Sequence, residues 1–356
     1  MSESIAKRKI AVLLSGGVDS SVALNLLKRD GHDLTAFYLK IWLQDEFAFL
    51  GNCPWEEDLE YVRKVCKQAN VPLEILSLQD EYWDNIVSYT ISEIKQGRTP
   101  NPDIFCNSLI KFGLFYDRID SSFDKVASGH YAKVEELNNK FILKRSPDPV
   151  KDQTYFLAYL TQKQLSRANF PIGNYTKKQV RELADKFDLP NKDRKDSQGL
   201  CFLGQIKFDE FVKHHLGEIK GDIVNIENNR ILGKHNGYYY YTIGQRSGLG
   251  LGGGPWYVVK KDIENNVVYV SSEDYTKMEN DKFKVANINW ISEKKPEEEN
   301  LRVKIRHGAR FFNSQVNFLD KNAAEVLLDK PDRGIAPGQF AVFYNDEFCL
   351  GGGVIS

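Results

Sequence analysis

The sequence predicts an α/β amino-terminal domain on a mainly parallel sheet, then a small mostly-β central domain and a carboxyl-terminal β-barrel. Roughly the first two hundred residues alternate strand and amphipathic-helix patterns, which is how a parallel sheet with crossover helices reads. From about Gly221 onward, short alternating strands take over. A chain of 356 residues is long enough for two or three cores. The expected domains are residues 1–204, 205–278 and 279–356, the last two being candidate RNA-contacting units.

"KIAVLL" reads as a buried strand, and "SSVALNLLKRDG" as a helix ending at Gly31. "LTAFYLKIW" and "VPLEILSL" are the next strands. Between them "EEDLEYVRKVCKQAN" puts Leu59, Val62, Cys66 and Ala69 at helical spacing, which assigns Cys66 to the core. "YWDNIVSYTISEIKQG" is helical and "DKVASGH" gives another strand. "AKVEELNNKFILKR" is a hairpin turning at Asn138-Asn139. "TKKQVRELADKFDLP" opens with a capping box from Thr176 to Gln179 and stops at Pro190. After "FDEFVKHHL" come "GDIVNI", "GYYYYTIG", "PWYVVKKDIENNVVYVSS", "KVANINWI", "RVKIRHGAR", "QVNFL", "AEVLL" and "QFAVFY", all read as strands.

Composition narrows the function classes. Hydrophobic residues make up 42% and charged residues 27%, as in ordinary soluble proteins, and no run of eighteen apolar residues predicts a membrane span. The start lacks the layout of a secretory signal, so the expected compartment is the cytoplasm. A net charge of −1 leaves nucleic-acid binding to local patches. Two patches stand out: Lys177, Lys178, Arg181, Lys186, Lys192, Arg194 and Lys195, and then Arg302, Lys304, Arg306 and Arg310. Five widely spaced cysteines with no C-x-x-C predict no structural metal site.

The chemistry concentrates in "SGGVDSS" after the first strand. Gly16 and Gly17 allow a tight turn whose N–H groups face an anion; Ser15, Ser20 and Ser21 add hydroxyls, and the following helix start favours phosphate. The loop has no lysine, so it is not the common P-loop, and Asp19 suits a Mg²⁺ bridging phosphates. In "GRTPNPDIFCNSLIKF", Cys106 lies three residues beyond Asp103, in a segment expected to form an exposed turn ahead of a helix. Such a place lowers a thiol pKa, and Asp103 is placed to act as acid or base. Cys201, in "RKDSQGLCFLG", follows a basic stretch. Gly248, Gly250 and Gly253 satisfy G-x-G-x-x-G, but a strand follows them; a loop that orders on RNA fits better than a dinucleotide site.

"SGGVDSSV" resembles the phosphate loop of the N-type ATP pyrophosphatases, the Rossmann-like PP-loop superfamily. Together with "GRTPNPDIFCN", "SGHYAKV", "KDQTYFL", "FPIGNYTKKQVRELA", "KDSQGLCFLG", "YYYTIGQRSGLGLGG" and "APGQFAVFYNDEFCLGGG", it resembles the tRNA-specific 2-thiouridylases of the MnmA type, from Lys9 to Ile355. The resemblance implies ATP-dependent sulfur transfer to carbon 2 of the wobble uridine in tRNAs for Lys, Glu and Gln. It also implies ATP with Mg²⁺, the metal near Asp19, and a sulfur-relay or cysteine desulfurase partner. Cys106 becomes the nucleophile, Cys201 the persulfide carrier and Asp103 the acid or base, with a transient Cys106–Cys201 disulfide.

By the same resemblance the nucleotide meets Leu13, Leu14, Ser15, Gly16, Gly17, Val18, Asp19, Ser20, Leu39 and Gly129. The target base and tRNA meet Asn101, Pro102, Asp103, His130, Lys151, Asp152, Gln153, Arg306, His307 and Gln339. Leu39 stands where the family often has Met, "DSQGLC" replaces the commoner "DSTGIC", and His307 stands where Tyr is usual. Cys53 receives no role. The alternatives are a PP-loop amide-forming synthetase, which needs neither thiol, and a catalytically silent tRNA-binding protein.

Overall fold

A computed structural model describes residues 6–41, 54–196, 208–272, 281–332 and 334–356. Its first sheet runs through β1 (Lys9–Leu13), β2 (Asp33–Lys40), β3 (Leu73–Ser77), β4 (Lys125–Ala127) and β7 (Ala168–Asn169) in the order β3-β2-β1-β4-β7, every pair parallel. After Lys9, β1 is apolar because both its faces are covered. Ile10 and Val12 enter the core with Ala36 and Tyr38, while Ala11 and Leu13 enter the one with Phe37 and Phe115. The chain reverses its lateral direction between β1 and β4, and ligands of open α/β sheets bind at the carboxyl ends beside such a point.

Around this sheet lie α1 (Val18–Arg29), α2 (Pro54–Ala69), α3 (residues 79–95), α4 (residues 102–118), α5 (Gln162–Arg167) and α6 (Lys177–Lys186). Cys66 is buried on α2 with Leu59 and Val62. The Thr176–Gln179 capping box forms at α6 as the sequence implies. α3 and α4 each carry a π-wound stretch, Trp83–Val87 and Cys106–Leu114.

The central domain holds α7 (Phe208–Leu216) and a four-stranded sheet of β8 (Gly221–Asn225), β9 (Ile231–His235), β10 (Tyr257–Asp262) and β11 (Val267–Ser271), ordered β10-β11-β8-β9. "GYYYYTIG" is not a strand. Tyr238–Tyr240 form a 3-10 turn whose hydroxyls donate to three backbone sites: Tyr238 to Lys95 (2.6 Å), Tyr239 to Leu216 and Gly217, Tyr240 to Gly217. Alternation would send neighbouring rings to opposite faces, whereas the turn lets all three bridge to other elements. The segment Gly248–Gly253 is a loop leading to β10, with no helix after it.

The carboxyl-terminal strands β12 (Lys282–Trp290), β13 (Asn300–Lys304), β14 (Phe312–Phe318), β15 (Ala324–Leu328), β16 (Phe340–Asn345) and β17 (Phe348–Ile355) close into a six-stranded barrel through β12–β17 pairing. The closing strand is the glycine-rich "FCLGGGVI", which the alternation pattern misses. A Cβ on Gly351 would stand 2.0 Å from the Asn289 carbonyl, so the seam requires glycine.

The hairpin β5 (Ala132–Leu137) and β6 (Lys140–Arg145) turns at Asn138-Asn139, both at positive φ. It does not stay within the first domain's sheet. β6 pairs with β17 at Phe348 and Cys349, so the α/β domain's hairpin extends the sheet of the six-stranded barrel. Behind that seam Lys304, fully buried, donates to Asp152 at 3.0 Å; Asp152 also accepts from Arg145 (3.2 Å) and the Thr154 hydroxyl (2.9 Å). No helix among the described residues is long and apolar enough to cross a membrane.

Candidate active site

"SGGVDSS" leaves β1 at the carboxyl edge of the parallel sheet and enters α1 at Val18. Gly16 turns at φ +77°, a conformation side chains resist. The hydroxyls stitch the loop to itself: Ser20 and Ser21 donate to the Gly17 carbonyl at 3.1 and 3.0 Å, and the Ser15 amide donates to Ser20 Oγ. Gly129, after β4, faces the loop so closely that a Cβ there would lie 2.6 Å from the Ser20 nitrogen. Leu39 ends β2 on the same edge. Loop, Leu39 and Gly129 thus meet at the switch point, and a bare-backbone cradle of this kind fits a nucleotide polyphosphate.

Asp19, in the first turn of α1, accepts from Tyr131 (2.9 Å) and Lys177 (2.7 Å), both on Oδ1. A divalent cation at this loop could be held through Asp19 Oδ2. Asn191 donates to the Gly16 carbonyl (2.8 Å) and to Ser21 Oγ (3.0 Å), and Arg194 reaches the same carbonyl (3.1 Å) while pairing with Asp58 (2.5 Å). Burial raises the Asp58 carboxyl and Arg194 opposes that rise. Asp196 gathers Lys151, Lys177 and Arg181; burial pushes its carboxyl up, but the hydrogen bonds and charges of Lys151 and Lys177 outweigh that and hold it well below the usual carboxylate range.

The basic segment 177–195, expected to form an RNA-facing surface, is therefore divided. Lys178, Lys186 and Lys195 face solvent, while Lys177, Arg181 and Arg194 turn inward to carboxylates and to the loop. Charge density flagged the segment, but its division needed the third dimension.

Cys106 is not on an exposed turn ahead of a helix. α4 begins at Pro102, with Asp103 in its first turn and Cys106 one turn later, fully buried, where the π winding starts. Spacing of three puts both residues on one helix face. Cys106 packs in a cluster with Tyr82, Ile86, Ile110 and Phe211, against which Leu39 and Leu76 also rest, so α4 stands over the carboxyl ends of β2 and β3. Asn101, before the helix, is buried. All three domains touch this approach: Thr99 donates to the Pro337 carbonyl at 2.8 Å, Tyr238 to that of Lys95, and Phe105 packs edge-on against Phe340, Tyr89 and Tyr159.

The other expected contact residues form a second group. His130 bonds Ser128 at 2.8 Å, and burial with the Lys111 charge pushes its imidazole down to about 3. Gln153 and Tyr131 exchange hydrogen bonds through the Gln153 side chain and both backbones. His307 stacks on Phe156 at 4.7 Å and meets the Asp152 carbonyl at 3.2 Å; burial lowers its pKa. Arg306 and Arg310 are half exposed and share Asp332. Gln339 stands at the barrel rim before β16. Asp152 itself is buried beneath them. Cys201 and Cys53 lie outside the described residues.

Residues 8–205 match a family described as tRNA methyl transferase HUP domain, residues 209–272 the tRNA methyl transferase PRC-barrel domain, and residues 280–355 the aminomethyltransferase beta-barrel domain. The chain is 44% identical to tRNA-specific 2-thiouridylase MnmA of Parabacteroides distasonis, covering 98% of both proteins. It is 44% identical to tRNA-specific 2-thiouridylase MnmA 2 of Bacteroides fragilis, over 97% of this chain and 99% of that one. Identity to the MnmA of Porphyromonas gingivalis is 41%, over 98% and 99%. The chain belongs to the tRNA-specific 2-thiouridylase (MnmA) family. Within that family's three-domain chain, the PP-loop, Gly129 and the Asp103–Cys106 helix occupy one edge of the HUP sheet, and the barrel closes over the approach to it.

Proposed function

We propose that this protein is an ATP-dependent tRNA-uridine 2-sulfurtransferase acting on the wobble uridine of tRNAs for Lys, Glu and Gln. The observation that carries the reading is family membership over 98% of the chain, with the phosphate loop and both thiols intact in its sequence. An amide-forming synthetase would have no use for Cys106 and Cys201, and a silent binder no use for the loop.

In the proposed reaction the uridine O2 attacks the α-phosphorus of ATP held by the loop, and pyrophosphate leaves. Carbon 2 then carries AMP as leaving group. Cys201 accepts a sulfane sulfur from a relay or desulfurase protein as a persulfide. That terminal sulfur becomes bonded to carbon 2 as AMP departs, and the Cys106 thiolate attacks the Cys201 sulfur, closing a Cys106–Cys201 disulfide. The alternative order, in which Cys106 first releases hydrosulfide, uses the same atoms. Either way two electrons pass to the transferred sulfur, so a thiol reductant must reopen the disulfide for each turnover. Asp103, one helical turn from Cys106, takes or returns the proton. Lys151, Gln153, His130, Arg306, His307 and Gln339 meet the RNA, with Asn101 and Pro102 beside the flipped base. Asp152 acts on that surface from beneath, by holding Lys304 and Arg145. Mg²⁺ beside Asp19 would neutralise phosphate charge. The cytoplasm, where thiols stay reduced, is the matching compartment.

The test incubates the protein with ATP, Mg²⁺, a persulfide donor and unmodified tRNA, and resolves thiolated RNA on a mercury-containing gel. Wild type should give product with AMP and pyrophosphate; Cys106→Ser and Cys201→Ser should give none. ADP as product, or full activity in Cys201→Ser, would overturn the scheme.

A further inference from the structure

An anion-binding loop works only if its peptides present N–H groups to the ligand, and the peptide joining Gly16 to Gly17 cannot fix its own direction. Both flanking residues lack a Cβ, so the peptide plane turns about Gly16 ψ and Gly17 φ at little cost. One orientation shows an N–H where the other shows a carbonyl. The fold supplies a lock from 175 residues away: Asn191 Nδ2 donates to the Gly16 carbonyl at 2.8 Å. We propose that Asn191, seconded by Arg194, is a positioning residue of the phosphate loop, holding the Gly16–Gly17 peptide in its anion-binding orientation without touching the nucleotide. The proposal rests on the ATP-dependent reading given above.

A peptide unit is planar and trans, so its carbonyl and its N–H point to opposite sides. With the Gly16 oxygen drawn to Asn191, and to Arg194 Nη1 at 3.1 Å, the Gly17 N–H is turned back into the loop, on the side of Ser15 Oγ at 3.4 Å. Asn191 is only 2% exposed and also donates to Ser21 Oγ (3.0 Å), which in turn donates to the Gly17 carbonyl (3.0 Å). Both glycine carbonyls are thereby occupied by protein donors. Asn191 is itself held in place. Arg181 donates to the Lys192 and Arg194 carbonyls at 2.8 and 2.7 Å, and Arg194 is fixed by Asp58 at 2.5 Å. Gly16 lies so close to α2 that a Cβ would stand 2.7 Å from the Asp58 carbonyl oxygen. The residue that turns at φ +77° must stay glycine, and it cannot hold the peptide by its own sterics.

Released from Asn191, the peptide would be free to present a carbonyl oxygen, with its partial negative charge, to an incoming phosphate. That flip carries Gly17 φ from −78° into the positive half of the map, which glycine accepts and alanine resists. Asn191 is uncharged, so its loss leaves the net charge of the site as it was and removes only the constraint on one dipole. The effect therefore falls on ligands that carry phosphate and spares the nucleoside.

The experiment measures binding of ATP, inorganic pyrophosphate and adenosine to the full chain by calorimetry at fixed Mg²⁺, for wild type, Asn191→Leu, Gly17→Ala and the double variant. Asn191→Leu should weaken ATP and pyrophosphate by about fivefold or more and leave adenosine within about twofold. Asn191→Ala, which removes the donor without adding apolar bulk, carries the same expectation and replaces the leucine variant if that one does not fold. In the Asn191→Leu background, Gly17→Ala should improve pyrophosphate affinity by about threefold or more relative to its effect in wild type, because alanine blocks the flip; a merely structural role for Asn191 gives no such coupling. Equal weakening of adenosine, no weakening of pyrophosphate, or independent effects of the two substitutions overturns the proposal. A wild type that binds neither ATP nor pyrophosphate would instead overturn the ATP-dependent reading, and this proposal with it.

Discussion

Replacing Asp152 with asparagine removes the charge opposite a lysine that has no solvent to turn to. The side chains of Asp152 and Lys304 are both fully buried, and they join the α/β domain to the barrel. Arg145, on the same carboxylate oxygen, is partly exposed and stacked over Phe311, so it can turn toward water. Lys304 cannot. It keeps its position over the Phe311 and Tyr344 rings, but those contacts exist already in the wild type. Its cheapest recourse is to lose its proton, and burial already lowers its pKa. Deprotonating at pH 7.5 a lysine whose ordinary value is 10.5 costs about 4 kcal/mol at 1.36 kcal/mol per unit, within the roughly 3–5 kcal/mol expected when one partner of a buried pair is removed.

The sign of the pH dependence follows. In Asp152→Asn the folded-state pKa of Lys304 falls below its unfolded value, so the unfolded chain binds more protons, and stability rises as pH climbs from 7.5 toward 10.5. Urea denaturation followed by fluorescence should show the loss at pH 7.5 and its partial recovery at pH 9.5, relative to wild type. The double variant Asp152→Asn/Lys304→Met should regain much of the loss, a coupling read from the double-mutant cycle. A loss below about 1 kcal/mol, without pH dependence, would refute the reasoning.

Gly129→Ala should force the start of α1 away from its place, since the new methyl would lie 2.6 Å from the Ser20 nitrogen; ATP affinity should fall about tenfold or more, and unchanged calorimetric binding would refute the contact. His130 is held neutral in the folded state at about 3 against an ordinary 6.5, so its contribution is intact above pH 6.5 and is lost as pH falls toward 3, at up to about 1.4 kcal/mol per unit. Urea unfolding at pH 7 and pH 5.5 should show that slope, and His130→Asn should flatten it. Gly351→Val should open the barrel seam at Asn289 and cost at least about 2 kcal/mol, read as early exchange of β12 and β17 amides.

Much of the fold was legible in local pattern. β1, α1, the α6 capping box and the Asn138-Asn139 turn are written in short-range chemistry and form as it dictates. The misreadings share a cause. "GYYYYTIG" alternates like a strand, but its hydroxyls bond three separate backbone sites; "FCLGGGVI" lacks alternation because a neighbouring strand presses on its glycines; "NPDIFC" looks like an exposed turn, but aromatic residues of the barrel and α3 cover it. In each case distant residues decided the outcome.

The sequence by itself determined the phosphate loop, because a Gly-Gly turn between a buried strand and a helix is a local geometry needing no partner. It also determined the order of the domains and the family. Only the tertiary structure decided that Asp152 lies beneath the expected RNA surface, and that Lys177 pairs with Asp19 of the lysine-free loop. Charges are paired through space at about 3 Å, and a chain that brings residue 177 against residue 19 leaves no mark of it in their spacing.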